Sequence, residues 1–229
     1  MAIQLKGGPD VFRASGSVKS IALSGSEGGF YRRHVKRVFD ILFVVLSAPV
    51  LLPVIFVLVL ITACQGGRPL YSQRRIGRGG RIFRMLKIRT MVPDADQILE
   101  SYLAANPRAR QEWDESQKLK NDPRITALGR FLRKSSLDEL PQFWNVLLGE
   151  MSLIGPRPMM PEQSGQYPGT AYYQLRPGIS GSWQVSARNG SSFAARAKFD
   201  TEYNNQLSLK TDVDIFVRTL GVVLSCTGY

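Results

Sequence analysis

The chain has 229 residues, 30 Lys and Arg against 18 Asp and Glu, a net charge of +12 and a pI near 10.0. That length suits one good-sized domain, or a small domain with a membrane element, and the charge calls for an anionic partner: nucleic acid, anionic lipid or a phosphorylated substrate. The single histidine, His34, argues against Ser-His or Cys-His nucleophiles and a histidine-ligated metal. The two cysteines, Cys64 and Cys226, lack CxxC spacing, which argues against a structural disulfide and fits a reducing compartment.

Residues 1–29 are rich in Gly and Ser with little apolar periodicity, and are expected to be a disordered tail rather than a secretory signal. A basic cluster follows, Arg32, Arg33, Lys36 and Arg37, with His34 read as an interfacial residue. Residues 41–67 then carry no charge at all. Crossing a bilayer takes about 20 apolar residues, so this segment is long enough; a buried core helix is the soluble alternative. Pro49 and Pro53 lie on one helical face and each removes a backbone hydrogen bond, so a sharp bend is expected at residues 47–53, with Ser47 available to a freed carbonyl. Residues 68–89 hold eight basic residues and no acid. Basic flanks favour the cytoplasmic side, and both flanks here are basic, so a helix that enters, breaks at the prolines and returns is preferred over one that spans.

Alternation at residues 69–71 and 82–88, around Gly77-Arg78-Gly79-Gly80, predicts a hairpin at the membrane surface; the glycines match neither a dinucleotide fingerprint nor a Walker loop. Its basic residues suit lipid headgroups, while Lys87 and Arg89, two apart, share one strand face and can instead point at substrate phosphate. Residues 94–120 read as a solvated helical pair interrupted at Pro107, with Tyr102 and Trp113 as packing anchors. Asn121-Asp122-Pro123-Arg124 reads as a turn before a short element leading to Gly129.

Residues 129–158, GRFLRKSSLDELPQFWNVLLGEMSLIGPRP, hold the densest set of reactive groups. Arg133 and Lys134 precede the carboxylate pair Asp138-Glu139, and Arg157 returns after one amphipathic element. Arginine binds phosphate bidentately, and an aspartate can ligate a divalent metal or attack phosphorus itself, so phosphoryl chemistry is one reading. A plain helix start is the other: Ser135 and Ser136 each lie three residues before an acid, and Pro141 suits a first turn. Farther on, residues 161–170 and 176–181 read as turns. Residues 183–190 offer an aromatic, the amide of Gln184 and the cation of Arg188, a set suited to a base and a phosphate, but by pattern they read as an amphipathic strand ending in a turn. Residues 193–204 read as a helix, and residues 213–224 as an apolar stretch too short to span.

With these pieces assembled, the sequence resembles the bacterial sugar transferases, the monotopic polyprenyl-phosphate phosphoglycosyl transferases, and within them the exopolysaccharide-priming galactose or glucose-1-phosphate type. The resemblance runs from Lys36 to Tyr229. It is carried by Lys36-Arg37-Val38-Phe39-Asp40, Lys87-Ile88-Arg89-Thr90-Met91, Asn121-Asp122-Pro123-Arg124-Ile125-Thr126, the stretch around Asp138-Glu139-Leu140-Pro141-Gln142, Gly155-Pro156-Arg157-Pro158 and Arg176-Pro177-Gly178. It implies transfer of a sugar-1-phosphate from a UDP-sugar to undecaprenyl phosphate with release of UMP, at the cytoplasmic face of the bacterial inner membrane, as the first membrane step of exopolysaccharide synthesis. The implied fold is α+β and mostly helical, in three parts: a tail (1–29), a basic segment with a proline-broken re-entrant helix (30–67), and a cytosolic catalytic domain with short strands and interfacial amphipathic helices (68–229).

By the same resemblance Asp138 is the nucleophile and a Mg2+ ligand, Glu139 completes the dyad, and Mg2+ neutralises the diphosphate. Lys87, Arg89, Arg133 and Arg157 are expected around the phosphates, with Arg188 and Gln184 toward the nucleotide and sugar, and Pro49 and Pro53 at the helix break. The partners implied are the UDP-sugar, undecaprenyl phosphate and anionic lipids; a second copy of the chain stays open, and nucleic acid is not expected. Two departures stand out: Ala187 occupies a position often Gly in relatives, next to Arg188, and Ala48 one often Ser, next to Pro49. The competing reading is a non-enzymatic, membrane-anchored basic module that binds anionic lipid or assembly partners.

Overall fold

The computed structural model describes residues 29–116, 119–186 and 192–224. All of the expected tail, residues 1–29, except Gly29 lies outside the described residues, as does Arg188. The fold is α+β and mostly helical, with two small two-stranded sheets among the described residues.

A π-helical turn at Tyr31–Val35 leads into helix α1, Lys36–Ala63. It is the one helix among the described residues long and apolar enough to cross a membrane. Helical hydrogen bonding continues on both sides of Pro49 and Pro53, so the prolines do not end the helix. The prolines leave the carbonyls of Val45 and Pro49 without their usual donors. Ser47 does not serve either one; its hydroxyl donates to Phe43 O at 2.8 Å and Val44 O at 3.2 Å.

Helix α1 is held at its two ends and bare between them. At the first end the buried Lys36 ammonium lies 2.7 Å from Asp212, whose carboxylate also accepts the hydroxyls of Tyr31 (2.5 Å) and Tyr203 (2.6 Å). Asp40, one turn on and fully buried, accepts from the Ser152 hydroxyl (3.0 Å) and the Leu153 N–H (3.1 Å). Arg37 donates to Val146 O and Leu147 O. At the other end Leu58 packs with Ile88 and Leu132, and the Arg89 guanidinium donates to Thr62 O and Gly66 O. No residue from 45 to 57 is buried, and Leu46, Val50 and Phe56 are each more than 65% exposed.

The predicted hairpin is present, as β1 (Leu70–Ile76) paired antiparallel with β2 (Ile82–Ile88), from Leu70↔Ile88 to Ile76↔Ile82. Gly79 and Gly80 turn it at φ of +69° and +80°, where a Cβ would be strained. Phe83 and Met85 point into the main core with Val146, Met151, Leu153, Ile154 and Ile215. The helical pair also forms, α2 (Ala95–Ala105) and α3 (Pro107–Ser116), divided where Pro107 was expected to divide it. Trp113 meets the Arg124 guanidinium at 5.1 Å, and Arg124 is itself paired with Asp122 at 2.6 Å.

Thr126 caps α4 (Ala127–Ser135) by accepting the Gly129 N–H at 2.9 Å; α5 (Gln142–Leu148) follows. Strands β3 (Ser152–Ile154) and β4 (Gly178–Ser180) then pair in parallel. This pairing accounts for two glycine motifs at once. A Cβ on Gly155 would lie 2.3 Å from Arg176 O, and one on Gly178 would lie 2.1 Å from Gly155 N, so the two backbones meet only as glycines. Between them sits α6 (Ala171–Gln174).

After β4 the sequence pattern suggested a strand, and the structure corrects this: Ser182–Ser186 is a short helix, α7. Its first turn is closed by Gln184 N–H on Gly181 O at 3.0 Å, and it buries Trp183, so packing overrides alternation here. Helices α8 (Arg196–Asn205) and α9 (Leu209–Leu224) complete the described chain, with Val213, Val217 and Leu220 of α9 exposed.

Removing Asp212 should be costly, because Lys36 would be left as an unpaired buried charge, the Tyr31 hydroxyl would lose its acceptor, and Tyr203 would keep only Ile154 O at 3.2 Å. Asp212→Ala is expected to destabilise by about 3–5 kcal/mol, read as a large drop in melting temperature in detergent. Unchanged melting would show that α1 is not held by this network.

Candidate active site

The carboxylate pair is presented by an abrupt end to α4. Ser136 adopts φ +58°, a left-handed conformation uncommon for a non-glycine, and one 3-10 turn, Leu137–Glu139, follows. The capping-box spacing of the sequence yields no such cap: the Ser135 hydroxyl donates back to Phe131 O and Leu132 O, and Ser136 makes no side-chain cap. Leu137 and Leu140 pack against the Leu58–Ile88–Leu132 cluster. The two acids between them turn toward β2.

There Lys87 reaches both. Its ammonium lies 2.7 Å from Glu139 Oε1 and 3.7 Å from Asp138 Oδ2. Asp138 is only 7% exposed. Burial pushes its carboxyl above the ordinary carboxylate range; Lys87 pulls it back, Glu139 adds to the rise and Arg133 opposes it. The Arg133 Nε donates to Thr90 Oγ1 at 2.8 Å, and burial lowers its pKa while Asp138 partly restores it. The result is a desolvated carboxylate between cations, suited either to attack an electrophile or to bind a metal.

A cleft opens beside the pair, lined by Arg75, Lys87, Glu139, Gln142, Arg157 and Ile179 among others. Lys87, Glu139 and Arg157 were expected from the sequence. Arg75 and Gln142 were not singled out. For Arg75 a signal existed: it pairs with Phe83 across the hairpin, and Phe83, Met85 and Lys87 alternate onto one face. Gln142 gave none, since its burial depends on distant elements.

The other expected residues are more scattered. Arg89 turns to the carbonyl end of α1 rather than into the cleft. Gln184 donates to the carbonyl of Ile179, a lining residue, at 3.0 Å, and its Oε1 is buried without a partner. Pro49 and Pro53 are exposed in the middle of α1.

Asp138 and Glu139 are the only carboxylates the dyad offers a cation, and no group of three or more His, Cys, Asp or Glu gathers among the described residues. Two carboxylates fit Mg2+ when substrate phosphate and water complete its shell, the usual arrangement for this hard cation.

Residues 31–226 match the family model for the bacterial sugar transferases, and the chain belongs to that family. Similar proteins include the UDP-galactose-lipid carrier transferase of Erwinia amylovora, 47% identical over 198 residues, which are 86% of this chain and 42% of that protein. The undecaprenyl-phosphate galactose phosphotransferase of Salmonella typhimurium is 43% identical over 198 residues, again 86% of this chain and 42% of the relative. The exopolysaccharide production protein ExoY of Sinorhizobium fredii is 42% identical over 196 residues, 84% of this chain and 87% of its own length. The chain therefore spans less than half of the first two relatives and most of the third.

Proposed function

We propose that this chain transfers a sugar-1-phosphate, galactose or glucose, from a UDP-sugar to undecaprenyl phosphate, releasing UMP. The observation that carries the reading is the buried Asp138, held with Glu139 by Lys87 at the edge of an arginine-lined cleft. The names of the Erwinia and Salmonella relatives point to the same donor and acceptor classes.

In this reading an Asp138 carboxylate oxygen attacks the phosphorus that bears the sugar. The bond from that phosphorus to the bridging oxygen breaks, and UMP leaves with the electron pair. The lipid's phosphate oxygen then attacks the same phosphorus, expelling Asp138 and forming a sugar diphospholipid. Lys87, Arg133 and Arg157 supply positive charge where two anions must approach a carboxylate. Asp138 and Glu139 would hold Mg2+, which when bound supplies further neutralisation of the diphosphate. A double displacement lets a soluble donor and a lipid acceptor use one site in turn.

We further propose that α1 re-enters rather than spans, placing the site at the cytoplasmic face of the inner membrane. Both ends of α1 dock on the same body of protein, while none of residues 45–57 in its apolar middle is buried. The exposed Val213, Val217 and Leu220 of α9 suit an interface with lipid.

Purified protein given Mg2+, polyprenyl phosphate and a panel of UDP-sugars should release UMP with one preferred donor, only when metal is present, and Asp138→Asn should abolish release while staying folded. Undiminished release by Asp138→Asn would sink the nucleophile. Topology has its own check. In spheroplasts a membrane-impermeant maleimide should label neither native Cys64 nor an introduced Arg33→Cys until the membrane is permeabilised. Labelling of one and not the other in intact cells would establish a spanning helix.

A further inference from the structure

Three arginines outside the dyad adjoin one packed cluster: Ile76, Met159, Phe193 and Ala197 pack together, and these lie within three positions of Arg75, Arg157 or Arg196 in the chain. Arg75, on β1, and Arg157, after β3, line the same cleft. Arg196 opens α8, with its guanidinium 4.3 Å from the Trp183 ring and 4.7 Å from the Phe193 ring, so two aromatic faces cover part of it. None of the three forms a salt bridge among the described residues. Arg75 donates to Pro158 O at 3.1 Å and Gln73 Oε1 at 2.6 Å, yet its Nε is buried without an acceptor, and so is the Nε of Arg196.

The three also crowd one another. Burial, followed by the charge of Arg157, lowers the pKa of Arg75; the same two causes in the same order bring Arg196 down to about 10, with Arg75 contributing further. The acids facing them compensate in part only. Glu139 acts on Arg75 from a distance while its own oxygen is held by Lys87, and Asp200 acts on Arg196 while accepting the Tyr167 hydroxyl at 2.8 Å. Buried donors without acceptors, beside mutually repelling cations, are costly in the empty protein. A polyanion would relieve both costs.

Resting on the transferase reading, we infer that Arg75, Arg157 and Arg196 form a second phosphate subsite, separate from the position in front of Asp138, which holds the phosphate that is not attacked. The ligand chemistry is a phosphate monoester, and it can come from the departing nucleotide or from the lipid acceptor. The guanidinium forks suit it, because each presents parallel N–H donors to two oxygens. Arg196 ties this subsite to α8, so the helix after residues 187–191 takes part in holding substrate.

The test uses the full chain in detergent, with UMP and inorganic pyrophosphate titrated into wild type, Arg75→Gln, Arg196→Gln and the packing-preserving Arg196→Lys, each compared by melting temperature. Both Gln variants should weaken UMP and pyrophosphate binding by about tenfold or more, as expected for losing a charge-assisted contact, with the acceptor KM unchanged. If the acceptor KM rises instead and UMP affinity holds, the same subsite takes the lipid's phosphate. Wild-type affinities and acceptor KM in every folded variant would overturn the inference; should Arg196→Gln not fold, Arg75→Gln and Arg196→Lys decide it. A wild type that binds pyrophosphate through these arginines yet never releases UMP would uphold the subsite and sink the transferase reading. Normal UMP release with unaffected variants would do the reverse.

Discussion

An apolar helix with a bare middle must be fastened to the rest of the protein by something stronger than greasy contact, and here buried polar groups do it. Asp212 gathers Lys36, Tyr31 and Tyr203, and Asp40 takes the Ser152 hydroxyl and the Leu153 N–H. A buried ion pair adds little net stability over an apolar one, but it penalises every arrangement in which its partners are separated. That selectivity is what α1 needs, because its exposed apolar residues would pack on almost any surface. The register of α1 in turn places Leu58 and the carbonyl end of the helix against Ile88, Leu132 and Arg89.

The placement of the Asp138 carboxylate depends on that second attachment. Leu137 and Leu140 join the Leu58–Ile88–Leu132 cluster, and the acids between them face Lys87 from the opposite side of the 3-10 turn. The long apolar helix and the candidate site thus share one small apolar cluster. In the proposed reaction, a site built next to the apolar helix would suit an acceptor arriving from the bilayer, and the guanidinium groups of the cleft would suit a phosphorylated donor arriving from water.

Local features were legible in the sequence and non-local ones were not. The hairpin showed in alternation and glycines, the division of α2 from α3 in Pro107, and the long apolar helix in its lack of charge. The glycines of Gly155-Pro156-Arg157-Pro158 and Arg176-Pro177-Gly178 could be noticed, but that they touch each other needed the parallel pairing of two three-residue strands. Ser182–Ser186 was misread because burial of Trp183 outweighed alternation. In the site, Lys87, Asp138, Glu139 and Arg157 come together as the family pattern suggested. Arg75 was passed over although its pairing with Phe83 sets it on the face of Lys87, and Arg196 gave no signal in the chain order. Arg89 shows the converse: a basic residue beside Lys87 serves the carbonyl end of α1 instead of the cleft.

The most direct test of the central claim omits the lipid. Mixed rapidly with Mg2+ and its UDP-sugar alone, the protein should release a burst of UMP approaching one equivalent, and the peptide containing Asp138 should gain the mass of one phosphosugar. If UMP appears only when polyprenyl phosphate is present, and Asp138 never carries the added mass, transfer is direct and the covalent account of this site is wrong.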